Sequence, residues 1–377
     1  MDAKIFIAGS GGIGQAAGLI LSESHEINAE IYLGDISQEA IDKAIKFVSE
    51  GCGHLSKLHG VLMPMSESND ALDVALAECD VILDCLPGSQ APRMARLAIQ
   101  HGCHYANLTE YVAETNEIIE LAKDADTGFI LQTGLAPGFI NVLANQLFLD
   151  FQSAHGVDKV DHISMKVGAL SAHAHAPHFY AFTWSPIGVA TEYMKDAIVV
   201  KDYKTQSVPA LSGTETIIID NITYEDNYTS GGAADLPEAF AGRVRDLDYK
   251  TLRYPGHYQW VKETIQNISG DDKIKVLEKT MLDQIPSVEE DVVIVYASVK
   301  GKNSNGVLRM MEKSYTVNPS RVGDKTLRAI QSTTAGPLCE AAYMLLKGGL
   351  KGVVLQSQIP AKEFLNGPFV KGIYGGY

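Results

Sequence analysis

Six residues near the start of the chain, Gly9-Ser10-Gly11-Gly12-Ile13-Gly14, have the types and spacing needed to hold a phosphate through main-chain amides. Glycine at 9 permits a tight turn, glycine at 11 lets backbone approach a pyrophosphate, and glycine at 14 lets a helix pack close to the preceding strand. Gly12 and Ile13 fall in the first turn of that helix, where amides lack intrahelical partners and the dipole favours an anion. About twenty residues further on, Asp35 stands where a carboxylate takes the hydroxyls of a ribose. Two plainer readings remain open at this point: a glycine turn of purely structural use, and Asp35 as a cap for a helix beginning near Ser37.

These residues need a strand before the turn and a helix after it. Ile5-Phe6-Ile7-Ala8 is a continuous apolar run, and Ile13, Ala16, Ala17, Ile20 and Leu21 recur at helical spacing. The alternation continues with a run at Ile31-Tyr32-Leu33, a helical pattern at Ile41, Ala44, Ile45 and Val48, and a run at Val61-Leu62-Met63. A helix over Asp70 to Glu78, Val81-Ile82-Leu83-Asp84, a helix over Gln90 to His101 and a strand over His104 to Leu108 follow. The series closes with a helix over Glu114 to Ala125 and a strand over Gly128 to Leu131. Such alternation predicts an α/β, doubly wound parallel sheet of about six strands, the Rossmann arrangement.

Ligands of such sheets lie at the carboxyl ends of the strands. That picks out Leu86-Pro87-Gly88, Thr109-Glu110-Tyr111 and Thr133-Gly134-Leu135-Ala136-Pro137-Gly138. Leu86, Pro87, Thr109 and Gly134 are the expected cofactor contacts among them, although two glycines and a proline also make an ordinary loop. Beyond Phe151 the pattern changes to strand-like runs at 162–167, 215–219 and 291–296 with long turns between them, which predicts an antiparallel sheet. From Thr326 onward the pattern returns to helix, with Leu338, Ala341, Ala342, Leu345 and Leu346 on one stripe.

Composition narrows the function classes. Thirty-one basic against 46 acidic side chains leave a net charge of −15, which argues against nucleic-acid backbones and anionic membranes as partners. Five scattered cysteines without a CxxC pair point to a reducing compartment. The start lacks the basic flank and long apolar core of an export signal, and the apolar stretch from Thr127 to Leu149 is interrupted by polar residues. A cytoplasmic location is therefore expected.

Further motifs line up along the chain. They include Gly102-Cys103-His104-Tyr105 ahead of Asn107-Leu108-Thr109, the stretch Gly134 to Asn141, and Phe182-Thr183-Trp184-Ser185-Pro186-Ile187-Gly188-Val189. Glu238-Ala239-Phe240, Thr251-Leu252-Arg253-Tyr254-Pro255-Gly256-His257 and Ser332-Thr333-Thr334-Ala335-Gly336 complete the set. Together with the glycine turn they resemble the saccharopine dehydrogenase family over nearly the whole chain. Ala136 before Pro137, where saccharopine-forming members usually carry aspartate, is similar to the L-lysine 6-dehydrogenase version, and Glu238 to Arg243 lacks the threonine-containing continuation common after that motif.

The resemblance implies a Rossmann domain over 1–138 with 326–377, and an α+β domain with a mixed or antiparallel sheet over 139–325 that binds substrate and mediates a homodimer. It implies nicotinamide-dependent oxidation at the carbon–nitrogen bond of an amino acid or diamine, as in lysine 6-dehydrogenases. Saccharopine or carboxyspermidine-type reductive condensation is the alternative, and a dinucleotide-binding regulator without activity a third reading.

Removing hydride from a carbon that bears an amine requires a base and an anchor for any substrate carboxylate. Arg253 is the expected anchor, by the two-donor fork of its guanidinium, with a surface ion pair as the plain alternative. His257 is a candidate base or proton shuttle because imidazole titrates near neutrality, against a structural histidine. Glu110 can approach the nicotinamide or the amine, against an exposed loop carboxylate. Tyr111 and Trp184, with Pro137 and Gly138, are expected to line the substrate pocket, unless the aromatics are core. NAD is expected over NADP, since Asp35 repels a 2′-phosphate and Ile36-Ser37-Gln38 offers no cation. His173, His175 and His178 form the one metal-like cluster, yet hydride transfer to nicotinamide needs no metal and none is expected.

Overall fold

Strands covered by helices on both faces must be apolar throughout, and the runs that satisfy this form the centre of a parallel sheet. The computed structural model describes residues 1–53, 57–172, 174–269 and 272–377. It places β1 (Asp2–Ala8), β2 (Asn28–Asp35), β3 (Lys57–Leu62), β4 (Val81–Asp84), β5 (His104–Asn107) and β6 (Gly128–Ile130) in one sheet. Ile5 to Ala8 of β1 and all of β4 are buried. Neighbouring strands pair in parallel, in the order β6-β5-β4-β1-β2-β3, with the order reversing between β4 and β1.

A seventh strand, Gly352–Val354, joins the free edge of β6 in parallel, Val354 opposite Ile130. The expectation of about six strands, with only helix after Thr326, is corrected here. Three residues, Gly-Val-Val, carry no periodicity, so the strand is visible only through its pairing. The helix Ala329–Lys347 precedes it, and Leu338, Ala341, Ala342 and Leu345 are buried as their spacing requires.

By contacts the chain divides into two compact units, Met1–Phe139 with Ser320–Leu327 and Gln331–Tyr377, and Ile140–Pro319 with Arg328–Ile330. The second unit is built on β7 (Val160–Ser171), β8 (Ala197–Lys201), β9 (Lys204–Val208), β10 (Glu215–Ile219), β11 (Ile222–Tyr228), β12 (Val244–Arg253), β13 (Asp291–Lys302) and β14 (Leu308–Val317). The main path of its sheet runs β10-β11-β12-β7-β13-β14, with β8 and β9 paired beside β12. An antiparallel sheet is too simple a description. β12 lies parallel to β7, and the long excursion between them supplies the crossover that a parallel pair needs. Alternation along β7, β11 and β12 buries charge on one face, where the carboxylate of Asp226 lies between the ammonium groups of Lys166 and Lys250. Among the described residues no helix is long and apolar enough to cross a membrane.

Glu340 ties the end of the first unit together. Its buried carboxylate accepts the amide of Phe369 at 2.9 Å and that of Val370 at 3.4 Å, capping the helix Pro368–Tyr374. That helix carries Tyr374, whose ring stacks on Phe139 with centroids 3.6 Å apart and whose hydroxyl donates to the Thr333 carbonyl. Burial pushes the Glu340 carboxyl up to about 7, only partly offset by the two amides. A carboxyl whose pKa is higher folded than unfolded stabilises the fold when protonated, so this contribution declines as pH rises from about 4.5 to about 7. Replacing Glu340 by Gln keeps one acceptor and removes the titration. Melting temperatures of both proteins at pH 5 and pH 8 should show the variant gaining on the wild type at the higher pH; a difference independent of pH excludes Glu340 as its source.

Candidate functional site

The glycine turn follows β1 directly. Gly9 has φ of +100°, and a Cβ on Gly14 would lie 1.9 Å from the Gly9 carbonyl oxygen, so this approach of helix to strand requires glycine at 14. The helix Gly12–Ser22 begins at Gly11, where a Cβ would meet nothing within 4 Å. That open space, beside first-turn amides with no helical carbonyl to bond, fits a pyrophosphate.

Asp35 ends β2. One carboxylate oxygen accepts the Ser10 amide at 2.9 Å and the other the Ser37 amide at 3.0 Å, leaving acceptor capacity for ribose hydroxyls. The helix-cap role goes instead to Ser37, whose hydroxyl accepts the Ala40 amide. Asp35 thus braces the glycine turn against β2.

The loop after β4 packs on the same turn: a Cβ on Gly9 would stand 3.0 Å from the Cys85 carbonyl and 3.3 Å from Leu86. Asp84 holds the loop from below. Its carboxylate accepts the Tyr105 hydroxyl at 2.7 Å and the Leu86 amide at 3.0 Å, and burial pushes its carboxyl up to about 6. Neither Asp84 nor Tyr105 was legible as a site residue, since an acid and a tyrosine 21 positions apart carry no pattern.

After β5, Thr109 is buried and its hydroxyl accepts the Tyr111 amide; a Cβ on Gly88 would collide with both side chains. Glu110 between them is half-buried. After β6, the Gly134 amide donates to the Pro137 carbonyl at 2.8 Å and the Phe139 amide to the Gly134 carbonyl at 2.8 Å. Gly138, at φ +133°, has no room for a side chain, because a Cβ would lie 2.1 Å from the Gly134 oxygen. The carboxyl edge of this one sheet therefore gathers Gly9 to Gly14, Asp35, Leu86, Pro87, Thr109, Glu110, Tyr111, Gly134, Pro137 and Gly138.

Arg253, His257 and Trp184 belong to the second unit. Arg253 ends β12 opposite Glu225 of β11, and Pro255-Gly256 turns the chain into the helix His257–Gln266. Glu225 fixes that turn by accepting the amides of Gly256 at 3.1 Å and Tyr258 at 2.6 Å. The guanidinium is buried, which rules out the surface ion pair. Its Nε donates to the Tyr193 hydroxyl at 2.8 Å and Nη1 to the Leu252 carbonyl at 2.9 Å, while its plane lies 4.7 Å from the Tyr180 ring centroid. Nη2 is buried with no hydrogen-bond partner.

His257 departs from expectation. Burial first, and the Arg253 charge second, push its pKa down to about 3, so it is neutral where a base or shuttle of unperturbed pKa would titrate. Nδ1 lies 2.7 Å from the His178 carbonyl and must donate to it; Nε2 then accepts the Tyr193 hydroxyl at 2.9 Å. The result is one directed chain, Arg253 to Tyr193 to His257 to the His178 carbonyl. Tyr193 is its centre, and nothing in the sequence marks a tyrosine 60 residues from the arginine it binds. Trp184 is half-buried and lies against Gly188, where a Cβ would meet its ring at 2.5 Å.

Of the histidine cluster, His173 lies outside the described residues, and the ring of His178 packs edge-on to Trp260. Among the described residues no group of three or more His, Cys, Asp or Glu side chains is placed to hold a metal.

Comparison with known proteins adds to this geometry. A model described as the saccharopine dehydrogenase NADP binding domain matches residues 5–131, and one described as the saccharopine dehydrogenase C-terminal domain matches 134–373. An alpha-aminoadipic semialdehyde synthase of Arabidopsis thaliana is 26% identical over 197 residues, 49% of this chain and 18% of that protein. A saccharopine dehydrogenase [NADP(+), L-glutamate-forming] of Pyricularia oryzae is 26% identical over 260 residues, 64% of this chain and 54% of that one. The chain thus spans at most about half the length of these relatives. Among solved structures, apo saccharopine dehydrogenase (L-Glu forming) from Saccharomyces cerevisiae matches with TM-score 0.74 at 16% identity, over 99% of this chain and 98% of that one. The homospermidine synthase of Legionella pneumophila in complex with NAD matches with TM-score 0.70 at 12% identity, over 99% and 90%. At these identities the likeness is one of fold.

The directed chain has a measurable consequence. Tyr193→Phe leaves two buried groups, Arg253 Nε and His257 Nε2, without their shared partner and should cost about 1–3 kcal/mol of stability. In the wild type the imidazole resonances of His257 should stay constant from pH 5 to pH 8. A titration of His257 within that range, or a fully stable Tyr193→Phe protein, contradicts the assignment.

Proposed function

The chain belongs to the saccharopine dehydrogenase family, and from that premise we propose that it is an NAD-dependent oxidoreductase acting on the carbon–nitrogen bond of an amino acid or diamine, in the manner of a lysine 6-dehydrogenase. The observation that carries this reading is Arg253 Nη2, a buried cationic donor with no hydrogen-bond partner. An unsatisfied buried donor is costly, and a substrate carboxylate is the acceptor that matches a guanidinium edge.

When bound, the dinucleotide supplies a nicotinamide ring that accepts hydride. The protein's own residues divide the remaining work. Amides of Gly12, Ile13 and Gly14 hold the pyrophosphate, Asp35 takes the ribose hydroxyls, and Leu86, Pro87, Thr109 and Gly134 line the nicotinamide half. Arg253 receives the substrate carboxylate, oriented by Tyr193 and, through it, by His257. Glu110 accepts a proton from the substrate ammonium, which frees the nitrogen lone pair. The C–H electron pair then departs as hydride, a C=N bond forms, and water adds to release ammonium and an aldehyde or keto product. Tyr111, Pro137, Gly138 and Trp184 are read as substrate contacts.

A second reading, reductive condensation of an amine with a carbonyl compound, is favoured by the names of the matched relatives and by the fold shared with homospermidine synthase. The two run in opposite directions. NADH formed from a single amine supports the first, and reduced cofactor consumed only when amine and carbonyl are both present supports the second.

Cofactor preference follows from Asp35. A 2′-phosphate would be set against its carboxylate, and residues 36–38 offer no cation to offset this. Calorimetry should find NAD bound more tightly than NADP, with Asp35→Ala narrowing the gap; equal or tighter NADP binding by the wild type refutes the preference.

Arg253→Ala should lower kcat/KM by about 2–5 kcal/mol, chiefly by leaving the substrate carboxylate unpaired, while NAD affinity holds. Glu110→Gln, assayed alongside, should lower kcat with little change in KM. If Arg253→Ala melts early yet its folded fraction keeps wild-type kinetics, the arginine is structural and the reading loses its support.

A further inference from the structure

Among the described residues, two side-chain oxygens of the first unit are buried without a hydrogen-bond partner, Ser22 Oγ and Gln356 Oε1. Ser22 ends the helix Gly12–Ser22, far along it from the glycine turn. Gln356 stands two residues past the strand Gly352–Val354, at the carboxyl edge of the sheet. Its side chain is 1% exposed. Nε2 donates to the Leu131 carbonyl at 2.7 Å and to the Thr133 hydroxyl at 3.0 Å. Thr133 Oγ1 in turn lies within donating distance of the Leu131 carbonyl, at 3.4 Å. Both partners of Gln356 are therefore acceptors, which fixes the amide with its nitrogen toward them and its oxygen turned away.

The neighbouring backbone is already paired. The Thr133 amide donates to the Asn107 carbonyl and the Gly134 amide to the Pro137 carbonyl. Neither amide is left to satisfy Oε1. A buried carbonyl oxygen without a donor is costly, and such groups are rare in folded proteins. The edge it occupies is the one at which doubly wound sheets receive their ligands.

We propose that Gln356 Oε1 is a cofactor-binding acceptor that receives an N–H of the nicotinamide carboxamide. This rests on the dinucleotide reading above and adds to it a residue from the C-terminal strand segment. Gln356 would set the orientation of the nicotinamide ring, with Thr133 and Leu131 holding the glutamine amide in place.

The test measures dissociation constants for NAD⁺, for 3-acetylpyridine adenine dinucleotide, whose methyl ketone lacks the N–H, and for ADP-ribose, which lacks the ring. The wild type should favour NAD⁺ over the acetylpyridine analogue about five- to tenfold. Gln356→Met should abolish that preference and leave ADP-ribose binding within about twofold. Gln356→Leu, which equally lacks the acceptor, should abolish the preference too and serves if the Met variant does not fold. The same ratio of the two affinities in wild type and Gln356→Met, or no discrimination in the wild type, overturns the proposal. Failure of ADP-ribose to bind the wild type overturns the dinucleotide reading itself, and the role of Gln356 falls with it.

Discussion

The carbonyl oxygen of Gly9 occupies almost the same space that a methyl group on residue 14 would fill. The first unit depends on that coincidence. With hydrogen at position 14, the helix Gly12–Ser22 starts right at the end of β1, its free amides held at the carboxyl edge of the sheet. The Ser10 amide then lies within reach of Asp35, and the loop after β4 closes on Gly9 from the other side. Any larger residue would drive the helix off the strand at the point where these three segments come together. The anion cradle, its acidic neighbour and the loop beside them are consequences of one steric fit.

The second unit solves a different problem, a buried positive charge in a protein of net charge −15. Arg253 is held by a tyrosine hydroxyl, a carbonyl and aromatic faces. Polarity runs one way along this chain because a carbonyl at its far end can only accept, which forces a proton onto His257 Nδ1 and a lone pair onto Nε2. The imidazole acts as a fixed dipole. Its usual titration is suppressed by the same burial and the same cation that it helps to organise.

What could be read from the amino-acid order followed the distance over which each signal acts. The glycine turn, Asp35 and the alternation of strand and helix depend on neighbours in sequence, and they were legible. The parallel pairing of β12 with β7 was not, because antiparallel and parallel strands share one alternation and differ only in the path of the intervening chain. Tyr193 lies 60 residues from Arg253, and Gln356 lies 225 from Leu131; no spacing rule reaches so far. His257 shows a second limit. Residue type suggested a group poised near neutrality, and only its surroundings reveal otherwise.

The strand Gly352–Val354 also bears on how the chain is made. During synthesis, β1 to β6 emerge first, followed by the whole of the second unit, and only then by the strand that covers β6. Until then β6 presents a row of unpaired amides and carbonyls, a template for wrong pairing with another chain. The second unit has its full set of strands well before the first and can fold while the first waits. The time needed to synthesise the second unit is therefore also the time for which that raw edge stays open. Slow translation through the second unit would expose nascent chains to aggregation through a part of the molecule that unit does not contain.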